Sequence, residues 1–396
     1  MGEALKVGLI GAGFVGEIHA RSYQRLLDLG VRVKAVAAVP QNQADALAQK
    51  MGIEFATDDY RRILDSKDID VVDLCVPNNL HKKIAIEAAE AGKHIICEKP
   101  LTGYFGEDTD EEWVGRVPKR HMLEVAINNA DEMLAAAHRY GVKLAYAENW
   151  LYAPVVQKAR NLVLASGGTI LEMRAIEAHS GSHATYAKIW KYAGGGALVR
   201  LGPHPIGVTM YLKAQEGLAR DGKPIRVKSV TAEVGNLVET ESMRREEKKW
   251  LVADWEDVEN WASVIMTFTD GTRAVLSASD VVLGGMEDSL QIHMSNARIN
   301  CNMTRSNMCE AYAPDPSIFA SEYIAEKLET KGGWSFPSID EEWMLGYPQE
   351  IRDFVESVLF DREPVANGQF GRDVVEILYS AYVSAEEGVR VELPAR

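Results

Sequence analysis

An α/β fold is predicted, with a doubly wound parallel sheet at the N-terminus and a C-terminal α/β domain on an open mixed, largely antiparallel sheet. Three observations predict it. The first hundred residues alternate short apolar runs with helix-length amphipathic segments. A glycine-rich turn, Gly11-Ala12-Gly13-Phe14-Val15-Gly16, joins the first apolar run to the first helix. Beyond residue 150, extended runs follow one another without crossover-length helices between most of them, which antiparallel pairing permits and parallel pairing does not.

Taken in order, residues 5–10 read as a buried strand and 15–28 as the helix after the glycine turn. Residues 31–39 form a second strand, and 44–50 a helix stopped by Gly52. Residues 70–76 are a third apolar strand, cut off by Pro77-Asn78. A helix over 81–90 ends at Gly92, and 94–97 is a fourth strand. Residues 101–120 break the rhythm with Gly103, Gly106, Gly115, Pro118 and a cluster of acids; this insertion is either a solvated loop or a functional flap or arm. A helix over 121–140 and a strand over 142–147 complete a first domain at 1–148. The second domain, 149–396, carries extended runs at 171–178, 227–238, 262–268, 272–279, 290–294 and 298–303, with Asp270-Gly271 as a hairpin turn. Helical periodicity returns at 349–360 and 373–387, which could pack back on the first domain.

Composition bounds the function. The chain has 396 residues, ample for two cores, and 46% of them are hydrophobic. Forty-three Lys and Arg against 58 Asp and Glu leave a net charge of −15, which repels phosphate backbones and anionic membranes. Neither nucleic acid nor a membrane is an expected partner. Four cysteines without a Cys-x-x-Cys pair, together with no recognisable export signal, point to a reducing, cytoplasmic setting.

The Gly11-x-Gly13-x-x-Gly16 turn is specific because it follows a strand and opens a helix. Gly11 allows the tight turn, Gly13 lets backbone approach a pyrophosphate, and Gly16 permits close helix packing, with the helix N-terminus favouring phosphate charge. The pattern predicts a dinucleotide site on the doubly wound sheet, with Phe14 and Val15 inside the turn. The second strand closes on Ala37-Ala38-Val39-Pro40-Gln41-Asn42, with neither the acid that bonds an NAD ribose nor a cation for the NADP phosphate, so NAD and NADP both stay open. Lys99, in Glu98-Lys99-Pro100 at the end of the fourth strand, is placed to exchange a proton beside a nicotinamide. Pro203 and Pro205 set a helix start that holds His204 at its mouth. His179 and His183 lie four apart, but in a Gly/Ser loop with no third ligand, so no metal is expected. With Tyr186 they fit a substrate-lining loop, and Asn149 and Tyr152 are further substrate candidates, while Trp150 reads as core.

Together these elements resemble the Gfo/Idh/MocA oxidoreductase family over nearly the whole chain. The resemblance rests on the glycine turn, Pro77-Asn78-x-Leu80-His81, the run from Ala91 to Leu101 containing Glu98-Lys99-Pro100, and the segment from Gly194 to Pro205. It implies oxidation or reduction of a sugar, inositol or related polyol with NAD or NADP, with Lys99 and His204 at the reacting carbinol. It also implies cofactor contacts from the glycine turn, Ala38, Pro77, Asn78, His81, Glu98 and Lys99. Two departures stand out: Arg200 where many members carry an aspartate, and Gly207 where another often follows. The guanidinium suits a substrate carboxylate or sulfonate, or else pairs with a protein acid such as Glu148.

Three functions compete at this stage. The first is an NAD(P)-dependent dehydrogenase or reductase of a sugar or sugar acid. The second is an NAD-dependent glycoside hydrolase working by transient oxidation, elimination and reduction; the third is a cofactor-binding sensor without chemistry. An open sheet in the second domain predicts a homodimer or homotetramer.

Overall fold

The computed structural model describes residues 4–304 and 307–395. These residues form two compact units. The division is interleaved rather than a single cut at 148 and 149: unit 1 takes residues 1–104, 124–152 and 346–376, and unit 2 takes 105–123, 153–345 and 377–396. Residues 105–123, expected as an excursion of the first domain, thus belong with unit 2, where Val114 and Val117 are buried.

Unit 1 is built on six parallel strands: β1 (Lys6–Ile10), β2 (Arg32–Ala37), β3 (Phe55–Thr57), β4 (Val71–Leu74), β5 (His94–Glu98) and β6 (Leu144–Ala147). Their order is β3-β2-β1-β4-β5-β6, which reverses direction between β1 and β4, the place where open α/β sheets bind ligands. Three-residue β3 is the strand that periodicity misses, because so short a run carries no pattern. Helices Phe14–Gln24 and Gln41–Met51 seat Ala20, Ala44, Leu47 and Ala48 against Leu9 and Val36. Burying Leu9, Val36 and Leu47 contributes about 1.5–3 kcal/mol each, and each alanine methyl less than about 1 kcal/mol. Gly52 ends the second helix with a left-handed φ of 69°.

Unit 2 is built on β7 (Ile170–Ala178), β8 (Val227–Gly235), β9 (Trp261–Phe268), β10 (Arg273–Ser279), β11 (Glu287–Met294) and β12 (Arg298–Asn302). A small hairpin pairs β13 (Ala311–Ala313) with β14 (Gly333–Ser335), and β15 (Val391–Glu392) is a short edge strand. The large sheet runs β12-β11-β7-β10-β9-β8-β15. Only β7 and β10 pair in parallel; every other neighbour is antiparallel. β9 and β10 meet in the expected hairpin, with Gly271 at φ 88°. Helix Pro203–Asp221 lies on β7 and β10, where Val208 and Leu212 join Met173, Ala274 and Leu276 in the core. Helix Pro154–Ser166, with proline at its start and Gly167 at its end, was not anticipated.

Candidate functional site

In unit 1 the three fingerprint glycines are needed for three different reasons. Gly11 has φ 114°, and a Cβ there would collide with the Cys75 carbonyl oxygen; one on Gly16 would strike the carbonyl of Gly11. A Cβ on Gly13 would meet nothing within 4 Å, so this glycine keeps space open at the helix start. Gly13 is the N-cap of helix Phe14–Gln24 and provides no capping side chain, which leaves the helix N–H groups for an anion. Phe14 is 61% exposed beside it. The residues present therefore fit a dinucleotide. Ala38 is half-buried and gives its N–H to Thr57 O, while Pro77 and Asn78 follow β4 at the same end of the sheet.

Glu98 closes β5. One of its carboxylate oxygens accepts the Lys99 backbone N–H at 2.9 Å, and the other lies 3.2 Å from His19 Nε2. His19 Nδ1 is 2.9 Å from Asp73 Oδ2, and the Tyr23 hydroxyl donates to that same oxygen at 3.0 Å. Burial opposes charge on this ring, yet the Asp73 carboxylate holds its pKa well above the imidazole range. Against its own burial, Glu98 is held below the carboxylate range by His19 and Lys99. Two further acids of unit 1, Glu148 and Glu350, are fully buried, and burial pushes both carboxyls well up. His19, Asp73 and Cys75 bring a ring nitrogen, a carboxylate and a thiol within 4.8 Å of one another. Nδ1 donates to Asp73, however, and so keeps no lone pair for a cation.

His81, expected on the cofactor side, bridges two loops. Its ring is fully buried, with Nδ1 2.9 Å from Pro100 O and Nε2 3.0 Å from Val76 O, so it ties the loops after β4 and β5 together. Tyr152, a substrate candidate, also has protein partners. It is buried in unit 1, where its hydroxyl donates to Asp353 at 2.8 Å and accepts the Ala366 N–H at 3.0 Å, so its polar end is already committed. Asn149 is buried beside Trp150.

Unit 2 carries the remaining candidates. Gly196 to Arg200 turns as a short helix, which the sequence left open, and His204 sits buried in the first turn of Pro203–Asp221, 3.9 Å from a Glu177 oxygen. Glu259 builds this corner by accepting the N–H groups of Gly196 and Leu198. Arg200 forms an ion pair with buried Asp280, and its guanidinium lies 4.8 Å over the Trp255 ring. Within unit 2 the acid paired with Arg200 is Asp280, which offsets the guanidinium charge. His179 is buried next to Asp280, with Nδ1 accepting the Gly181 N–H at 2.9 Å, which places its ring hydrogen on Nε2. His183 is exposed, and Tyr186 is 44% exposed. Sequence reading did not find His19, Asp73, Trp255 or Asp280; only the His19–Tyr23 spacing on one helix face, with Asp73 in an otherwise apolar strand, signals the first two.

Residues 5–110 match the family model described as an oxidoreductase family with an NAD-binding Rossmann fold, and residues 156–300 match the GFO/IDH/MocA C-terminal domain. The chain belongs to the Gfo/Idh/MocA oxidoreductase family. Within that family it is 35% identical over 217 residues to levoglucosan dehydrogenase of Pseudarthrobacter phenanthrenivorans, covering 53% of this chain and 51% of that protein. The match thus spans about half the length of that relative. Myo-inositol 2-dehydrogenase of Thermotoga maritima is 22% identical over 389 residues, 98% of each chain. Among solved structures, GenD2 from gentamicin A biosynthesis in complex with NAD shares the fold, with a TM-score of 0.81 at 24% identity over 100% of this chain and 98% of that one. Family membership makes unit 1 an NAD-binding Rossmann domain. Among the described residues no helix is long and apolar enough to cross a membrane.

Proposed function

We propose that this chain is an NAD-dependent dehydrogenase acting on a CH–OH carbon of a sugar or related polyol. The observation that carries the reading is Lys99, at the carboxyl end of β5 in an NAD-binding unit, with its backbone N–H held by the Glu98 carboxylate. Oxidising such a carbon removes a hydride from carbon and a proton from oxygen, and the nicotinamide, when bound, accepts the hydride. Lys99 as the free amine takes the hydroxyl proton, and as the ammonium returns it in the reverse direction. His204, buried in the first turn of its own helix in unit 2, is the second candidate for handling a substrate proton. The Arg200–Asp280 pair supports a neutral substrate over an acidic one, because the guanidinium is already neutralised.

The test is the appearance of reduced nicotinamide when the purified protein meets neutral sugars, polyols and uronates with NAD. Lys99→Ala should lower turnover by about 10²–10⁴-fold while NAD binding persists. Near-normal turnover in that variant overturns the assignment of Lys99. The open face of the unit 2 sheet, with Ile265 exposed at its centre, supports self-association into a dimer or tetramer. A monomer mass by light scattering at assay concentration would remove that part.

A further inference from the structure

We propose that His19 is a positioning residue for the Lys99 chemistry: an imidazolium clamped between Asp73 and Glu98 that fixes the Glu98 carboxylate and, through it, the Lys99 backbone. The inference rests on the proposed role of Lys99. Its geometric basis is that both ring nitrogens face carboxylate oxygens, Nδ1 toward Asp73 at 2.9 Å and Nε2 toward Glu98 at 3.2 Å. An ionised carboxylate only accepts, so the hydrogen bond to Asp73 puts a proton on Nδ1; Nε2 lies at ion-pair distance from Glu98 without an aligned hydrogen bond, and a proton there makes the ring the cation that both carboxylates attract. Neither His19 nor Asp73 is exposed.

The local fold makes the clamp. His19 and Tyr23, four apart on helix Phe14–Gln24, share the face packed on the sheet, and both bond Asp73 Oδ2. Asp73 projects from β4, and Glu98 closes the neighbouring strand β5. The ring therefore ties the helix that starts at the dinucleotide turn to the strand end that carries Lys99. Glu98 uses its second oxygen on the Lys99 N–H, so a displaced Glu98 releases the backbone that aims the lysine.

The groups around the ring leave its charge assignment consistent. From β4 come Asp73 and Cys75, whose thiol sits 3.5 Å from Nδ1 and is held protonated by burial. β5 and the residue after it bring Cys97, Glu98 and Lys99. Past β6 stands Glu148. Helix Tyr347–Leu359 contributes Tyr347, its ring centre 6.1 Å from that of His19, and Glu350. Burial pushes the Glu148 and Glu350 carboxyls well up, while Asp73 is the acid that acts most strongly on the ring.

The experiment compares His19→Gln with the wild-type full-length protein, using NAD affinity by calorimetry and the pH profile of kcat/KM. Glutamine offers no positive charge to Glu98. The expected result is NAD affinity and KM within about threefold of wild type, kcat lower by about 10-fold to 100-fold, and an acid limb moved up by about one pH unit as Glu98 loses its cation. A merely structural ring would lower stability and leave the limb in place, and a folded His19→Gln with a wild-type limb overturns the proposal. Should His19→Gln not fold, ¹⁵N-histidine NMR of the wild-type protein decides. A ring with both nitrogens protonated from pH 6 to 8 upholds the clamp, and nine rings that all show neutral character at pH 8 overturn it. Full turnover by Lys99→Ala would sink the proposed function and leave the NMR result standing. An inactive Lys99→Ala beside an unmoved His19→Gln profile would sink only this inference.

Discussion

Replacing Asp280 with asparagine removes one charge from an ion pair inside unit 2 while nearly preserving shape. Asp280 is fully buried and the Arg200 side chain is only 11% exposed, so the guanidinium left behind cannot recover its hydration. Removing one partner of a buried pair costs about 3–5 kcal/mol. The stack of Arg200 on Trp255 survives the change and favours the lower end, about 3 kcal/mol. For a unit of this size each kcal/mol moves the midpoint by about 2–4 °C, so Asp280→Asn should lower Tm by about 6–12 °C in a calorimetric scan. The double variant Arg200→Met with Asp280→Leu should recover most of that loss, because apolar groups of similar volume often replace a buried pair without cost. A second readout is specificity. The freed guanidinium forms a fork that fits a carboxylate, so the KM for a uronate should fall at least about tenfold relative to its neutral sugar. An Asp280→Asn protein within 2 °C of wild type and blind to the uronate carboxylate would refute the reasoning.

Two other changes separate binding from folding and test the buried acids. Gly13→Ala adds a methyl where nothing lies within 4 Å and φ is −79°, so Tm should hold while the NAD dissociation constant rises at least about tenfold in calorimetry; unchanged affinity would show that the dinucleotide does not approach this backbone. Glu350→Gln tests a carboxyl whose pKa the fold raises: burial pushes it well up, both of its oxygens are buried without a hydrogen-bond partner, and the unfolded chain releases the proton near 4.5. The native state therefore binds the extra proton above that pH, and wild-type stability falls as pH rises toward the native value, by up to about 1.4 kcal/mol per unit. The Tm advantage of Glu350→Gln should accordingly grow from pH 5 to pH 8, and an advantage that shrinks would show that Glu350 is ionised in the fold.

Local chemistry made much of this protein legible in one dimension. The glycine turn declares itself because Gly11, Gly13 and Gly16 answer to backbone sterics and to an anion at a helix start, all within six residues. The strands of both sheets show in their apolar runs, and Glu98-Lys99-Pro100 falls at a strand end because the run before it stops there. Strands β3, β13, β14 and β15 and helix Pro154–Ser166 escaped, the strands because two or three residues carry no period and the helix because it lies just past a presumed boundary. Partners were the other loss. Arg200 finds Asp280 eighty residues away, Tyr152 finds Asp353 two hundred and one away, and His19 finds Asp73 fifty-four away, and no local spacing encodes any of these pairs. Sequence alone thus determined the two sheets, the dinucleotide turn and the residues with chemistry to offer. Tertiary structure decided which of those side chains stay available and which are spent, because burial obliges each charge or hydroxyl to take whatever partner the chain brings to it, however distant.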